Sequence, residues 1–137
     1  MSTAEVAAGD QLPGLEVHVT RAMLVAYAGA STDLNPIHWS DRAARALGLE
    51  GVIAHGMLTM GLALRLVTDW VEDPGLVLSY SVRFTRPVVV PDNDEGALVS
   101  FAGKVTAVGD GVATVSIEAR CGDDNLLGGA KAEVKLV

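Results

Sequence analysis

Two groups able to trade a proton near neutral pH stand close together in one segment, Tyr27-Ala-Gly-Ala-Ser-Thr-Asp33-Leu-Asn35-Pro36-Ile37-His38. A carboxylate and an imidazole at one site act as complementary proton donor and acceptor. Asp33 and His38 are five residues apart with Pro36 between them, so one continuous helical face does not explain their spacing. A tight loop, by contrast, can turn both side chains to the same side. Asn35 suits such a loop because its side chain bonds nearby backbone, and Pro36 restricts it further. Taken singly, each is also an ordinary turn or surface residue. The pattern as a whole carries the information.

The scaffold that must hold this pair is bounded by composition. The chain has 137 residues, a common size for one domain, and we expect a single domain over 1–137. Half the residues are apolar but only 4% are aromatic, so the core must be built from Ala, Val, Leu and Gly. A net charge of −7 argues against nucleic acid and against anionic membrane surfaces as partners. Cys121 is the only cysteine, which excludes an intrachain disulfide and suits a reducing, cytoplasmic compartment. The segment MSTAEVAAGDQLPG carries acidic residues and no apolar run, unlike a secretory signal. The apolar stretch Gly56 to Val71 is interrupted by Arg65, Thr68 and Asp69, and falls short of the roughly 20 residues of a membrane span. Three histidines and one cysteine show no metal-ligand spacing, so no metal is expected.

The elements follow from periodicity. Leu15 to Thr20 alternates and predicts a first strand, with Thr20 capping a short helix over Arg21 to Ala28. Turn formers from Gly29 to Trp39 predict irregular backbone. Ser40 or Asp41 caps a second short helix that stops at Gly48. A third helix spans roughly Gly56 to Val71. It is apolar on nearly every side, which predicts full burial, with Gly61 and Ala63 allowing a sheet to pack closely. Val77 to Val90, Ala97 to Val108, Val112 to Arg120 and Leu126 to Leu136 read as strands separated by turn signals. Early helices and late hairpins mean α+β with an antiparallel sheet.

The core Asp33-Leu34-Asn35-Pro36-Ile37-His38 resembles the motif of the MaoC-like (R)-specific enoyl-thioester hydratases and dehydratases. Ala54-His55-Gly56-Met57 resembles a second element of that family at the expected distance downstream. Thr32 departs from the pattern, which usually has glycine before the aspartate. Further similarity runs through Gly9 to Pro13, Leu58 to Gly61 and Val82-Arg83-Phe84-Thr85. Together these segments are most similar to catalytic subunits of (3R)-hydroxyacyl-acyl-carrier-protein dehydratases of the mycobacterial type, which pair with a second hot-dog subunit.

The resemblance implies a hot-dog fold, in which the antiparallel sheet wraps a long central helix. It also implies a hydro-lyase acting on an acyl thioester of acyl carrier protein or CoA, within fatty acid elongation. The substrate carries the phosphopantetheine arm and no other cofactor is expected. His38 is the candidate base at C2 and Asp33 the candidate for handling the water, a division the sequence leaves open, and the Gly56 N–H would stabilise the thioester oxyanion at a helix N-terminus. Tyr27 either lines the acyl pocket or packs its helix, and Asn35 fixes the loop beside the substrate. Arg83 and Arg86 either meet a pantetheine phosphate or form a solvated strand edge. His55 is expected to hold the helix start, His18 to face solvent, Cys121 to fill space, and Met57, Met60 and Trp70 to be core. Alternatives are a homodimeric (R)-specific enoyl-CoA hydratase, a non-catalytic acyl-binding hot-dog subunit and a thioesterase.

Overall fold

A computed structural model describes residues 5–137, so the first four residues of the acidic N-terminal segment lie outside the described residues. Strand β1 (Leu15–Val19) leads into helix α1 (Arg21–Ser31), whose Met23 N–H donates to the Thr20 hydroxyl at 3.2 Å. The helix runs three residues past the expected end at Ala28. Gly29, Ala30 and Ser31 continue it, and it closes only at Thr32, which adopts φ 62° and ψ 14°. Backbone beyond it is not wholly irregular either, because Pro36–His38 form one 3-10 turn capped by Asn35. Helix α2 (Asp41–Ala46) starts at Ser40, whose hydroxyl accepts from the Ala43 N–H. Helix α3 (Gly56–Val71) has the expected bounds.

Five further strands follow: β2 (Val77–Phe84), β3 (Ala97–Gly109), β4 (Val112–Cys121), β5 (Asp124–Asn125) and β6 (Leu127–Lys135). The main path of the antiparallel sheet is β1-β3-β4-β6-β2, with β5 paired to β4. Asp110 and Gly111 both take positive φ, giving the two-residue hairpin that the twist of β3 and β4 favours. The expected strand Val77 to Val90 is broken. It leaves the sheet after Phe84, where Arg86 and Pro87 follow, and Pro87 has no N–H to offer a ladder. Its remainder pairs with the segment before α3 instead. Ala54 N–H donates to the Val88 carbonyl and Val90 N–H to the Val52 carbonyl, both at 2.9 Å.

Helix α3 lies across the sheet, packing on β2, β3, β4 and β6, which is the hot-dog plan. Leu62, Leu66, Val67 and Val71 join Val99, Phe101, Val105, Val115 and Val134 in one buried cluster. Two expectations about this helix are corrected. It is not buried all round: Met57 is 59% exposed, and Gly61, Arg65 and Asp69 continue the open stripe at four-residue spacing. Met57 is therefore not core. Nor does Gly61 enable close packing, because a Cβ there would meet nothing within 4 Å. That task falls to Gly103 on β3, where a Cβ would stand 2.6 Å from Leu66 Cδ2. The Tyr80 hydroxyl ties β2 to α3 by donating to the Met60 carbonyl at 2.8 Å, and burial pushes its pKa up to about 12.

Candidate active site

The turn after α1 is built by side chains bonding their own backbone. Asp33 N–H donates to the Ser31 hydroxyl, Asn35 N–H to Asp33 Oδ1 at 3.2 Å, and Ile37 N–H to Asn35 Oδ1 at 3.3 Å. The Trp39 indole N–H closes the turn on the Leu34 carbonyl at 3.0 Å. Short polar side chains favour such turns over helix, which is why this stretch leaves α1 and does not resume it. Asp33 Oδ2 remains outside these bonds, on a side chain that is half exposed.

His38 is buried, and its Nδ1–H donates to the Ile53 carbonyl at 2.7 Å. A carbonyl can only accept, so this bond fixes the tautomer and leaves Nε2 as a bare lone pair. Nε2 stands 3.8 Å from Asp33 Oδ2. A single oxygen about 2.8 Å from each could therefore bond both groups at once.

Segment 53–56 forms the wall behind the pair. Ile53 N–H donates to the Ile37 carbonyl at 3.1 Å, so the same residue grips the turn by both its backbone groups. His55 is 1% exposed, and its Nε2–H donates to the Asp33 carbonyl at 3.2 Å. Its ring stacks on His38 at 3.8 Å between centroids, 21° from parallel, and meets the Tyr27 ring edge-on at 4.7 Å. Burial pushes its pKa below the ordinary 6.5, so it is neutral at neutral pH. Its Nδ1 is buried with no hydrogen-bond partner among the described residues.

Gly56 opens α3. The Gly56 and Met57 N–H groups, first in the helix, have no carbonyl one turn back to bond, and the helix dipole adds to their pull on an anion. A Cβ at Gly56 would lie 3.2 Å from the Phe84 ring, so glycine keeps this approach open. A cleft of about 320 Å³ joins these parts, lined by His38, Ile53, Gly56, Thr59, Phe84 and Arg86 among others.

His38 and Gly56 line this cleft together, and Asp33, not itself among the lining residues, faces His38 Nε2 at 3.8 Å. Of the others named from the sequence, Asn35, Tyr27 and Arg83 do not line the cleft. Asn35 spends its side-chain oxygen on the Ile37 N–H, holding the turn. Tyr27 packs against His55 and is not among the lining residues. Arg83 lies over Gly128 and Gly129 of β6, off the cleft. Arg86 does line the cleft, but beyond the end of β2 and not within a strand. Sequence reasoning missed the Ile53 carbonyl, which no residue type announces, and the roles of Thr59 and Phe84, whose only signal was that they fall within family-like segments.

Asp33, His38 and His55 bring donor atoms within 4.8 Å of one another, a metal-like grouping. The ring geometry does not suit an ion. A metal lies in the plane of each ligating imidazole, along its nitrogen lone pair, and these two rings are stacked nearly parallel with centroids 3.8 Å apart. The cluster fits proton transfer.

A sheet wrapped on a central helix, with an acid–base pair facing the helix start, defines a hot-dog hydro-lyase. The chain belongs to the MaoC-like domain family, whose model, described as "MaoC like domain", matches residues 4–120. It is 32% identical over 112 residues to the "3-oxo-4,17-pregnadiene-20-carboxyl-CoA hydratase beta subunit" of Mycobacterium tuberculosis, covering 82% of this chain and 83% of that one. A solved "MaoC-like dehydratase" superposes with a TM-score of 0.95 at 38% identity, covering 99% of this chain. The chain spans only 42% of that longer one. The (R)-hydratase from A. caviae, involved in PHA biosynthesis, superposes with a TM-score of 0.84 at 28% identity, over 97% of this chain and 98% of its own. No helix among the described residues is long and apolar enough to cross a membrane.

Proposed function

We propose that the chain is a (3R)-hydroxyacyl-thioester dehydratase, running reversibly as an enoyl-thioester hydratase, and that it is the catalytic subunit of a cytoplasmic enzyme of fatty acid elongation. The observation that carries this reading is the bare His38 Nε2 facing Asp33 Oδ2 at 3.8 Å, beside the first N–H of α3.

In the dehydrating direction Nε2 takes the proton from C2, and the electron pair moves towards the thioester carbonyl. Charge growing on that oxygen is met by the Gly56 N–H and the helix dipole. The C3–O bond breaks as the Asp33 carboxyl gives its proton to the departing hydroxyl. Water leaves, and the proton now on His38 returns to Asp33 through one bridging oxygen. The pair ends as it began, so no cofactor is required. Hydration runs the same steps backwards.

Arg86, exposed on the cleft rim, suits a phosphate of the pantetheine arm. For a partner we favour a second hot-dog subunit. Among the described residues strand β2 is a sheet edge with no strand beyond it and α3 keeps an exposed stripe, both of which a neighbouring subunit would cover. The relative named as a beta subunit supports a hetero-oligomer. The near end-to-end match to an (R)-hydratase supports the second reading, a homodimeric (R)-specific enoyl-CoA hydratase.

The test is turnover of a chain-length series of 2-enoyl thioesters, on CoA and on carrier protein, by the chain alone and with candidate partners. We expect loss of enoyl absorbance without release of free thiol. Thiol release would mean hydrolysis, and no turnover in any assembly would mean a non-catalytic acyl-binding subunit. Either result refutes the proposal.

A further inference from the structure

We infer that His55 is a positioning residue, whose Nε2–H and ring face hold Asp33 and His38 in register with the Gly56 amide beside it. The inference rests on the reaction proposed above.

Among the described residues, every other hydrogen bond made by Asp33 comes from within its own turn, namely Ser31 and Asn35. The bond from His55 is the one that reaches it from another element. His55 is also the residue directly before Gly56. One peptide link therefore joins the group that anchors the Asp33 backbone carbonyl to the group that meets the oxyanion. The same ring lies flat against His38, so the imidazole that takes the C2 proton cannot tilt towards α1 without displacing it. Tyr27 meets the same ring edge-on, which accounts for a tyrosine that does not line the cleft.

The unpaired Nδ1 separates this role from packing. A buried acceptor with no donor is unfavourable, and a phenyl ring of similar shape would fill the site without it. Among its recorded contacts, what imidazole supplies and phenyl does not is the N–H directed at Asp33. Burial holds the ring neutral, so protonated His38 is not opposed by a second cation during turnover.

Two variants test this, measured in whichever assembly makes the wild type active on crotonyl-CoA. His55→Phe keeps the stack and deletes the donor. We expect kcat to fall at least ~10-fold with KM within about twofold, because a small misplacement of reacting groups costs rate more than binding. Its Tm should hold or rise. His55→Gln carries an N–H of similar reach and should recover kcat to within about fivefold of wild type. If His55→Phe does not fold, His55→Gln decides: near-normal turnover supports the inference, and a ~10-fold loss at unchanged Tm overturns it. A His55→Phe protein with wild-type kcat also overturns it and leaves the proposed reaction standing. A wild type inactive on every enoyl thioester overturns both.

Discussion

Thr32, where the motif that Asp33 to His38 resembles usually has glycine, closes α1 at φ 62°. A side chain with a Cβ pays about 1–2 kcal/mol in left-handed backbone, and a β-branched one is poorly suited to it. Glycine removes that strain but gives the unfolded chain more freedom, which costs about 0.5–1 kcal/mol. Thr32 is exposed and its hydroxyl makes no recorded hydrogen bond, so no packing is lost on truncation. Thr32→Gly should therefore stabilise the protein by about 0.5–1 kcal/mol, a rise in Tm of roughly 1–4 °C for a chain of this size. Calorimetry and urea titration at one protein concentration check it, with an unchanged m-value showing that the surface exposed on unfolding is the same. A lower Tm would refute the reasoning. It would mean that the threonine is not strained there, or that the turn depends on its limited freedom.

Asp33→Asn and His38→Ala should each lower hydration of crotonyl-CoA by at least ~100-fold while Tm stays near wild type. Asparagine retains an oxygen for the Asn35 N–H, so near-normal turnover of that variant would remove the carboxylate from the chemistry. Gly103→Ala should destabilise by about 1–3 kcal/mol in urea, because the new methyl would stand 2.6 Å from Leu66 Cδ2. Asp41 predicts an acid limb of stability. Its pKa is held below 3.8 by the Val52 N–H and then by Arg21, so the unfolded chain binds its proton more readily. Its stabilisation is complete above the unfolded value and fades as pH falls through the lower folded one; in Asp41→Asn the Tm–pH curve should be flatter below about pH 4.

The sequence was most legible where local chemistry decides alone. Ser40, Gly48 and the run from Gly56 to Val71 mark their helices without help from the rest of the chain. The turn carrying Asp33 and His38 was equally plain, since no helix accommodates that spacing around Pro36. Legibility failed where a distant partner decides. Val88 and Val90 continue the pattern of β2, yet they pair with Val52 and Ala54, a contact that only the folded chain brings about. Met57 reads as core because a helix so apolar is usually enclosed; in the isolated chain it faces outwards. Gly61 and Gly103 look alike in sequence, and only the packing of Leu66 distinguishes them. Tyr27 fell between its two readings, packing as expected of a helix residue but against the histidine that backs the site.

The two sides of the cleft come from different parts of the chain. His38, Ile53, Gly56 and Thr59 supply one side, from the turn to the start of α3, whereas Phe84, Val88 and Leu126 supply the other from the later, strand-forming half. Under the proposed reaction, proton relay and acyl preference would be encoded separately. The later wall can be recut to admit longer or bulkier chains while the relay is left untouched, which makes positions 84, 88 and 126 the natural targets for redirecting this scaffold to a new thioester.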